Sequence, residues 1–167
     1  MPSGGLDYAV ALITDRHKLS AGLTAAGIGG ERVAVVAARS SEAGRSAARR
    51  LRLRDLAEDA WILSPPACGY RAALQRVFDR QKVTLQIAAE VPGYDLQLSL
   101  IARGLGRGLV PGRRLAASPW RRHLRLVAVS DFALDGRIAM VQGGAPGSLQ
   151  AAVTHFQEGV AAALLNH

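Results

Sequence analysis

Redox and metal chemistry have little to work with in this chain. Its 167 residues hold one cysteine, Cys68. No disulfide can close within the chain, and thiolate metal clusters are excluded. The four histidines (His17, His123, His155, His167) show no ligand spacing, which argues against a metal site. Lysine is almost as scarce, with only Lys18 and Lys82. No apolar run is long enough to span a bilayer, and the opening Met-Pro-Ser-Gly-Gly-Leu-Asp has no basic patch followed by an apolar core. A membrane span and a signal peptide are therefore not expected, and the expected location is the cytoplasm.

Apolar residues, by contrast, make up 49% of the chain, enough for a packed core. The formal charge is +8 and rests on nineteen arginines. Such a balance suggests nucleic acid. Alanine and glycine are abundant too, however, and a coding bias toward these residues gives the same composition. The richest run, Ser40 to Arg54, holds Arg45, Arg49, Arg50, Arg52 and Arg54 without an interleaved aromatic. It reads as a solvated loop, because single-stranded nucleic acid wants stacking platforms.

The stretch Cys68 to Pro111 organises the rest. Tyr70, Leu74, Val77 and Phe78 repeat at i, i+4, i+7 and i+8, one face of a helix. Val83, Leu85 and Ile87 alternate with polar residues, as a half-buried strand does. A second helix opens with Asp95 in its first turn and closes on Arg103-Gly104, charges that complement its dipole and a glycine suited to the left-handed cap. Leu109-Val110 is a short strand stopped by Pro111-Gly112. Helices alternating with strands predict a parallel sheet covered on both faces.

Around this centre, Leu6–Ile13 reads as a buried strand and Leu23–Ile28 as a weak one. Gly29-Gly30 reads as a turn, and Val33–Ala38 as a clearer strand. Asp55-Leu56-Ala57 is a capped turn and Trp61-Ile62-Leu63 a short strand. Beyond Pro111, a helical turn over Gly112–Ala117 ends at Ser118-Pro119. Strands follow at Leu124–Val129 and Ile138–Val141. Ser148 is the expected N-cap of a last helix, with Leu149, Ala152, Val153, Phe156, Val160, Ala163 and Leu164 on one apolar face.

In this order and spacing the chain resembles the effector-binding domain of LysR-type transcriptional regulators. The resemblance is carried by Gly5-Leu-Asp-Tyr-Ala-Val, Glu31-Arg-Val-Ala-Val-Val, Leu53-Arg-Asp-Leu-Ala, Trp61-Ile-Leu, Gly69-Tyr-Arg and the segment Leu98 to Pro111. It implies an α/β, two-lobe, periplasmic-binding-protein-like (type 2) fold. Residues 61–136 would form lobe II, with 1–60 and 137–167 in a lobe I that is incomplete. The winged helix-turn-helix, the linker helix and the first βαβ portion of lobe I have no counterpart in these residues. DNA would then be contacted only through a domain absent from this chain. An incomplete lobe exposes apolar surface, so a homo-oligomer is expected.

The resemblance also implies a small-molecule effector between the lobes. The helix N-terminus after Ser64, Ala67, Cys68 and Gly69 favours an anionic metabolite. Pro92 and Tyr94 open the next helix in the same way. Thr14 and Pro111 end strands, where ligands of open α/β sheets bind. Cys68 as a reactive thiol would need a base and an orienting partner, and the sequence shows neither. Glu90 and Asp95 suit acid–base work on pattern alone. Gly104-Leu-Gly-Arg-Gly ends a helix, whereas a dinucleotide fingerprint opens one, so it reads as a C-cap and a close strand start. No enzyme, cofactor or metal is expected. The alternatives are a truncated interaction module and a cytosolic solute-binding protein without a DNA-binding role.

Overall fold

A computed structural model describes residues 7–14, 21–41, 51–66, 68–143 and 148–165. The chain divides into two compact units, Met1–Glu31 with Asp135–His167, and Arg32–Leu134. The sequence reading ends the first lobe at residue 60 instead. Residues 32–60 group with the second unit because strand β2 (Leu23–Ala38) pairs its second half with β5 (Arg107–Pro111) and β6 (Leu124–Val127).

The second unit is built on alternation. Its strand order is β2-β5-β3-β4, with β3 at Trp61–Leu63, β4 at Ile87–Glu90 and β6 on the outer side of β2. Val33, Val35 and Ala37 of β2, Trp61 and Leu63 of β3, Leu109 of β5 and Val127 of β6 face one way. They pack on Tyr70, Leu74 and Phe78 of helix α1 (Gly69–Arg80). Val36, Ile62, Val110 and Leu124 face the other way, onto Leu98 and Ile101 of helix α2 (Tyr94–Ala102). This is the period of two that a doubly covered sheet requires. Trp61 and Phe78 meet edge to face, with centroids 5.9 Å apart.

Strands β4, β3 and β5 pair in parallel, and Leu51 and Val129 form one isolated parallel bridge. Strands β2 and β5, and β2 and β6, run antiparallel, so the sheet is mixed rather than parallel throughout. Two further expectations, one over β2 and one over β4, also fail. Leu23–Ala38 is one sixteen-residue strand, with no turn at Gly29-Gly30. The strand expected from Val83 begins only at Ile87. Leu85 is buried without being in a strand, because alternation marks burial as readily as hydrogen bonding.

The glycine run after α2 is where the backbone is tightest. Gly104 has φ of +82°, the left-handed cap expected from its place after the helix. A Cβ on Gly108 would strike the Ile101 side chain and lie 3.1 Å from Gln97 Nε2. Gln97 itself is fully buried and donates to the carbonyl of Ile62 at 2.7 Å. The missing side chain is what lets α2 sit on β5 and reach β3. Helix α3 (Gly112–Ala117) and a 3₁₀ turn (Pro119–His123) follow, the latter capped by Ser118, whose hydroxyl accepts from Trp120 N–H.

In the first unit the strand order is β1-β7-β2, with β1 at Tyr8–Thr14 antiparallel to β7 at Leu134–Gly143. Helix α4 spans Gln150–Leu165. The helix forms as its apolar periodicity predicts, but that face is not buried. Leu149 is 56% and Phe156 52% exposed, and Ala152 and Ala163 are exposed. Val10 on β1 is also half exposed, so β1 is not the buried strand its apolar run suggests. The loop expected at Gly143–Gly147 lies mostly outside the described residues.

Candidate functional site

Three parallel strands end at one edge of the second unit, at Leu63, Glu90 and Pro111. Helices α1 and α2 begin just after the first two of these ends. No side chain caps either helix: the N-cap of α1 is Cys68 and that of α2 is Gly93, both extended. An uncapped helix start leaves backbone N–H groups turned toward whatever lies in front of it. Ser64 and Cys68, on the loop from β3 to α1, lie within hydrogen-bonding reach of the Tyr94 hydroxyl on α2, and Arg114 of α3 is near enough to act on its charge.

Burial is the first reason that the Tyr94 phenol is pushed up from 10.0 to about 12, and the Cys68 thiol adds to the rise. The Ser64 hydrogen bond and the Arg114 charge pull the other way. Tyr94 is therefore a neutral hydroxyl at physiological pH, able to donate. It cannot take a proton from Cys68 there, so the pair is not a nucleophile and its base. A prediction follows from the sign. Between pH 10 and 12 the unfolded phenol ionises first, so stability falls as pH rises through that window and is untouched by this group below it. In a 295 nm titration, the component lost in Tyr94→Phe is expected to have its midpoint near 12; a midpoint near 10 would show an open, solvated phenol.

Arg71 fixes the loop that carries Ser64. Its guanidinium donates to the Ser64 carbonyl at 3.1 Å and pairs with Glu90 at 2.8 Å, while its own side chain is 12% exposed. Glu90 is thus engaged in a structural ion pair. Asp95 stands in the first turn of α2, as its charge predicts. Of the residues singled out from sequence, Ser64, Cys68, Gly69, Tyr94 and Pro111 gather at this edge, with Pro111 buried and Pro92 exposed before α2. Ala67 lies outside the described residues. Thr14 ends β1 in the other unit, opposite Gly136. Arg71 and Arg114 were not singled out. A lone arginine inside a helix carries no sequence signal until the strands beside it are in place. A separate open depression lined by Glu58, Ala60, Gln86, Ile87 and Ala88 contains none of these residues.

Among the described residues no cluster of three or more His, Cys, Asp or Glu is placed to hold a metal ion, and no helix is long and apolar enough to cross a membrane.

A mixed α/β sheet with helices on both faces and helix starts gathered at its strand ends is of the type 2 periplasmic-binding-protein-like class of fold. The sequence model of the LysR substrate binding domain matches residues 3–161, and the chain belongs to that family. No curated protein is similar enough to count as a match. Among solved structures, the Synechocystis PCC6803 CcmR regulatory domain in complex with 2-PG aligns with a TM-score of 0.74 at 19% identity, over 95% of this chain and 73% of its own. The effector binding domain of QuiR in complex with shikimate gives 0.70 at 14% identity, over 90% of this chain and 69% of that one. A putative LysR family transcriptional regulator from Pseudomonas aeruginosa gives 0.72 at 17%, over 95% of this chain and 53% of that one. The family is one of regulatory rather than catalytic domains.

Proposed function

We propose that this chain is the sensing domain of a LysR-type transcriptional regulator and that its effector is a small anionic metabolite. The observation that carries the reading is the Tyr94 hydroxyl, with Ser64 and Cys68 beside it and Arg114 nearby, in front of two uncapped helix starts. Donors from backbone, hydroxyl and guanidinium then converge on a carboxylate or phosphate; of the nearby acids, Glu90 is held by Arg71, and Asp95 stands in the first turn of α2. Gly69 leaves the α1 start open to a ligand, and Pro92 and Pro111 stand beside it; Ala67 keeps only the contact role that the family resemblance implies. Thr14 keeps only the effector-contact role that the family resemblance implies. That two structural neighbours are described with 2-PG and with shikimate supports a small-molecule ligand.

In this reading the effector acts by binding two conformations unequally, since a ligand with equal affinity for both shifts nothing. Sequence-specific DNA recognition belongs to a separate domain, and the whole regulator works in the cytoplasm. A thermal-shift screen of small carboxylates and phosphate esters tests the site, because a ligand that prefers the folded state raises its melting temperature. Tyr94→Phe is expected to weaken the best hit by about tenfold, the value of one donated hydrogen bond, without lowering the unliganded melting point by more than a few degrees. A hit that binds Tyr94→Phe and Ser64→Ala as tightly as the wild type would sink the assignment.

Homo-oligomerisation is the second part of the proposal. Its support is the half-exposed Val10, Leu149 and Phe156 of the first unit. Covering these side chains in an oligomer would remove apolar surface from water. Light scattering of Phe156→Asp should then show a smaller particle than the wild type.

A further inference from the structure

The arginines are not spread evenly. Residues 32–134, the second unit, hold 18 Lys and Arg against 8 Asp and Glu, a formal +10. The remaining residues hold 3 against 5, a formal −2. A coding bias that enriches arginine everywhere does not separate charge in this way. Within the second unit, residues 96–130 contain seven arginines and no aspartate or glutamate.

The fold collects part of this charge at one place. Strand β2 runs antiparallel to β5, with Val33 opposite Pro111, so Ala38 lies at the end of the sheet away from the Tyr94 site. Leu124 pairs with Ala38 there. Five residues of strand separate Val33 from Ala38, roughly 16 Å. At this far end Arg39 donates its backbone N–H to the His123 carbonyl at 2.8 Å and its guanidinium to the Leu124 carbonyl at 3.4 Å. That ties Arg39 to the 3₁₀ turn bearing Arg121, Arg122 and His123, and Arg125 follows opposite Ala37. Arg39, Arg121 and Arg122 are exposed, and none takes part in the ion pairs among the described residues. Among the described residues, Glu58 and Asp59 precede β3 at this end, beyond β5, and Asp59 is engaged by Arg107 at 2.7 Å; Asp79 and Asp131 lie by the last turn of α1, where Gln81 donates to Asp131.

We propose that this face, Arg39 with Arg121, Arg122 and His123, contacts the phosphates of duplex DNA without reading its sequence. Guanidinium forks match phosphate geometry. No fully exposed aromatic stands among these residues, Trp120 being half-buried against the α2 core, and a single strand would need such a platform. In a transcriptional regulator the contact supplies affinity and positioning for a domain that reads the bases elsewhere. It revises the expectation that DNA is touched only by another domain, and it does not depend on the effector site.

The test is fluorescence anisotropy of the full 167-residue chain with a labelled duplex of about 30 bp and scrambled sequence, over a salt series. Binding should be independent of sequence and weaken with salt at a slope of about −3 on logarithmic axes, about three phosphates neutralised. Arg121→Glu/Arg122→Glu should lower affinity at low salt by more than about tenfold and flatten the slope by about 2. The charge-matched control is Arg76→Glu/Arg80→Glu on α1, exposed on the opposite helical layer, and should change affinity far less. Arg121→Gln/Arg122→Gln, checked for an unchanged melting curve, covers the case in which the reversal unfolds the turn. Equal losses for the two reversals would reduce the effect to net charge and overturn the proposal. So would the absence of binding at low salt, or competition by polyglutamate as effective as DNA at equal charge, which would assign the face to an acidic protein.

Discussion

Asp59→Ala is expected to lower the stability of the second unit by about 3 kcal/mol. Its carboxylate holds the Arg107 guanidinium at 2.7 Å, and Arg107 is 5% exposed along its side chain. Nη1 of that guanidinium is buried without a partner among the described residues, so Asp59 carries most of the compensation for the charge. Removing one partner leaves the other buried and unpaired, which costs more than the pair contributes. Asp59 is itself one-third exposed, and water reaching the gap keeps the loss at the lower end of the usual range. For a unit of this size that is a fall in melting temperature of more than about 10 °C. Asp59→Ala combined with Arg107→Met should recover most of it, since a well-packed apolar side chain needs no counter-charge. If the single variant melts within about 2 °C of the wild type, the pair is a solvated surface contact and the account of this corner is wrong.

Gly106→Ala should cost about 2–3 kcal/mol, in the range of forced overpacking. A Cβ there would lie 2.6 Å from the Ala60 carbonyl oxygen and 3.1 Å from its carbon. Both obstacles are backbone. The same carbonyl accepts the Arg107 N–H at 2.8 Å, the bond that starts β5 beside β3. Room can be made only by moving the strand away from its neighbour. Gly104→Ala is the useful contrast. Its Cβ would meet nothing, but its φ of +82° would be strained, at about 1 kcal/mol. Urea denaturation of both variants should rank Gly106→Ala clearly below Gly104→Ala. The reverse order would mean that dihedral strain, not close approach, governs this turn.

The candidate site was partly legible in advance. Ser64, Cys68 and Gly69 stand out because Pro65-Pro66 ends a strand and an apolar period of helical spacing follows. Tyr94 stands out because Pro92-Gly93 does the same for the next helix. That Ser64, Cys68 and Tyr94 share one hydrogen-bonding neighbourhood was not legible. It depends on β3 and β4 lying side by side in parallel, which brings two loops far apart in sequence to one edge. Arg114 enters the site for the same reason, through β5. Glu90 shows the converse: its sequence position suggests acid–base chemistry, and the fold assigns it to Arg71 instead.

Local chemistry fixed α1, α2, the turn at Gly104 and the short strands Trp61–Leu63 and Arg107–Pro111, because each is marked by its own spacing, breaker or cap. The repetition of these pieces in order is enough to make the family resemblance readable. The length of β2 was decided in three dimensions, where it runs as one strand through Gly29-Gly30, with β7 and β5 as its neighbours, and overrides a turn signal. The burial of Arg107 was decided there too, since only the position of Asp59 makes it tolerable. Helix α4 has the amphipathic period of a packed helix, yet Leu149 and Phe156 remain half exposed. A period states which residues share a face; whether anything covers that face depends on which elements the tertiary structure sets against it.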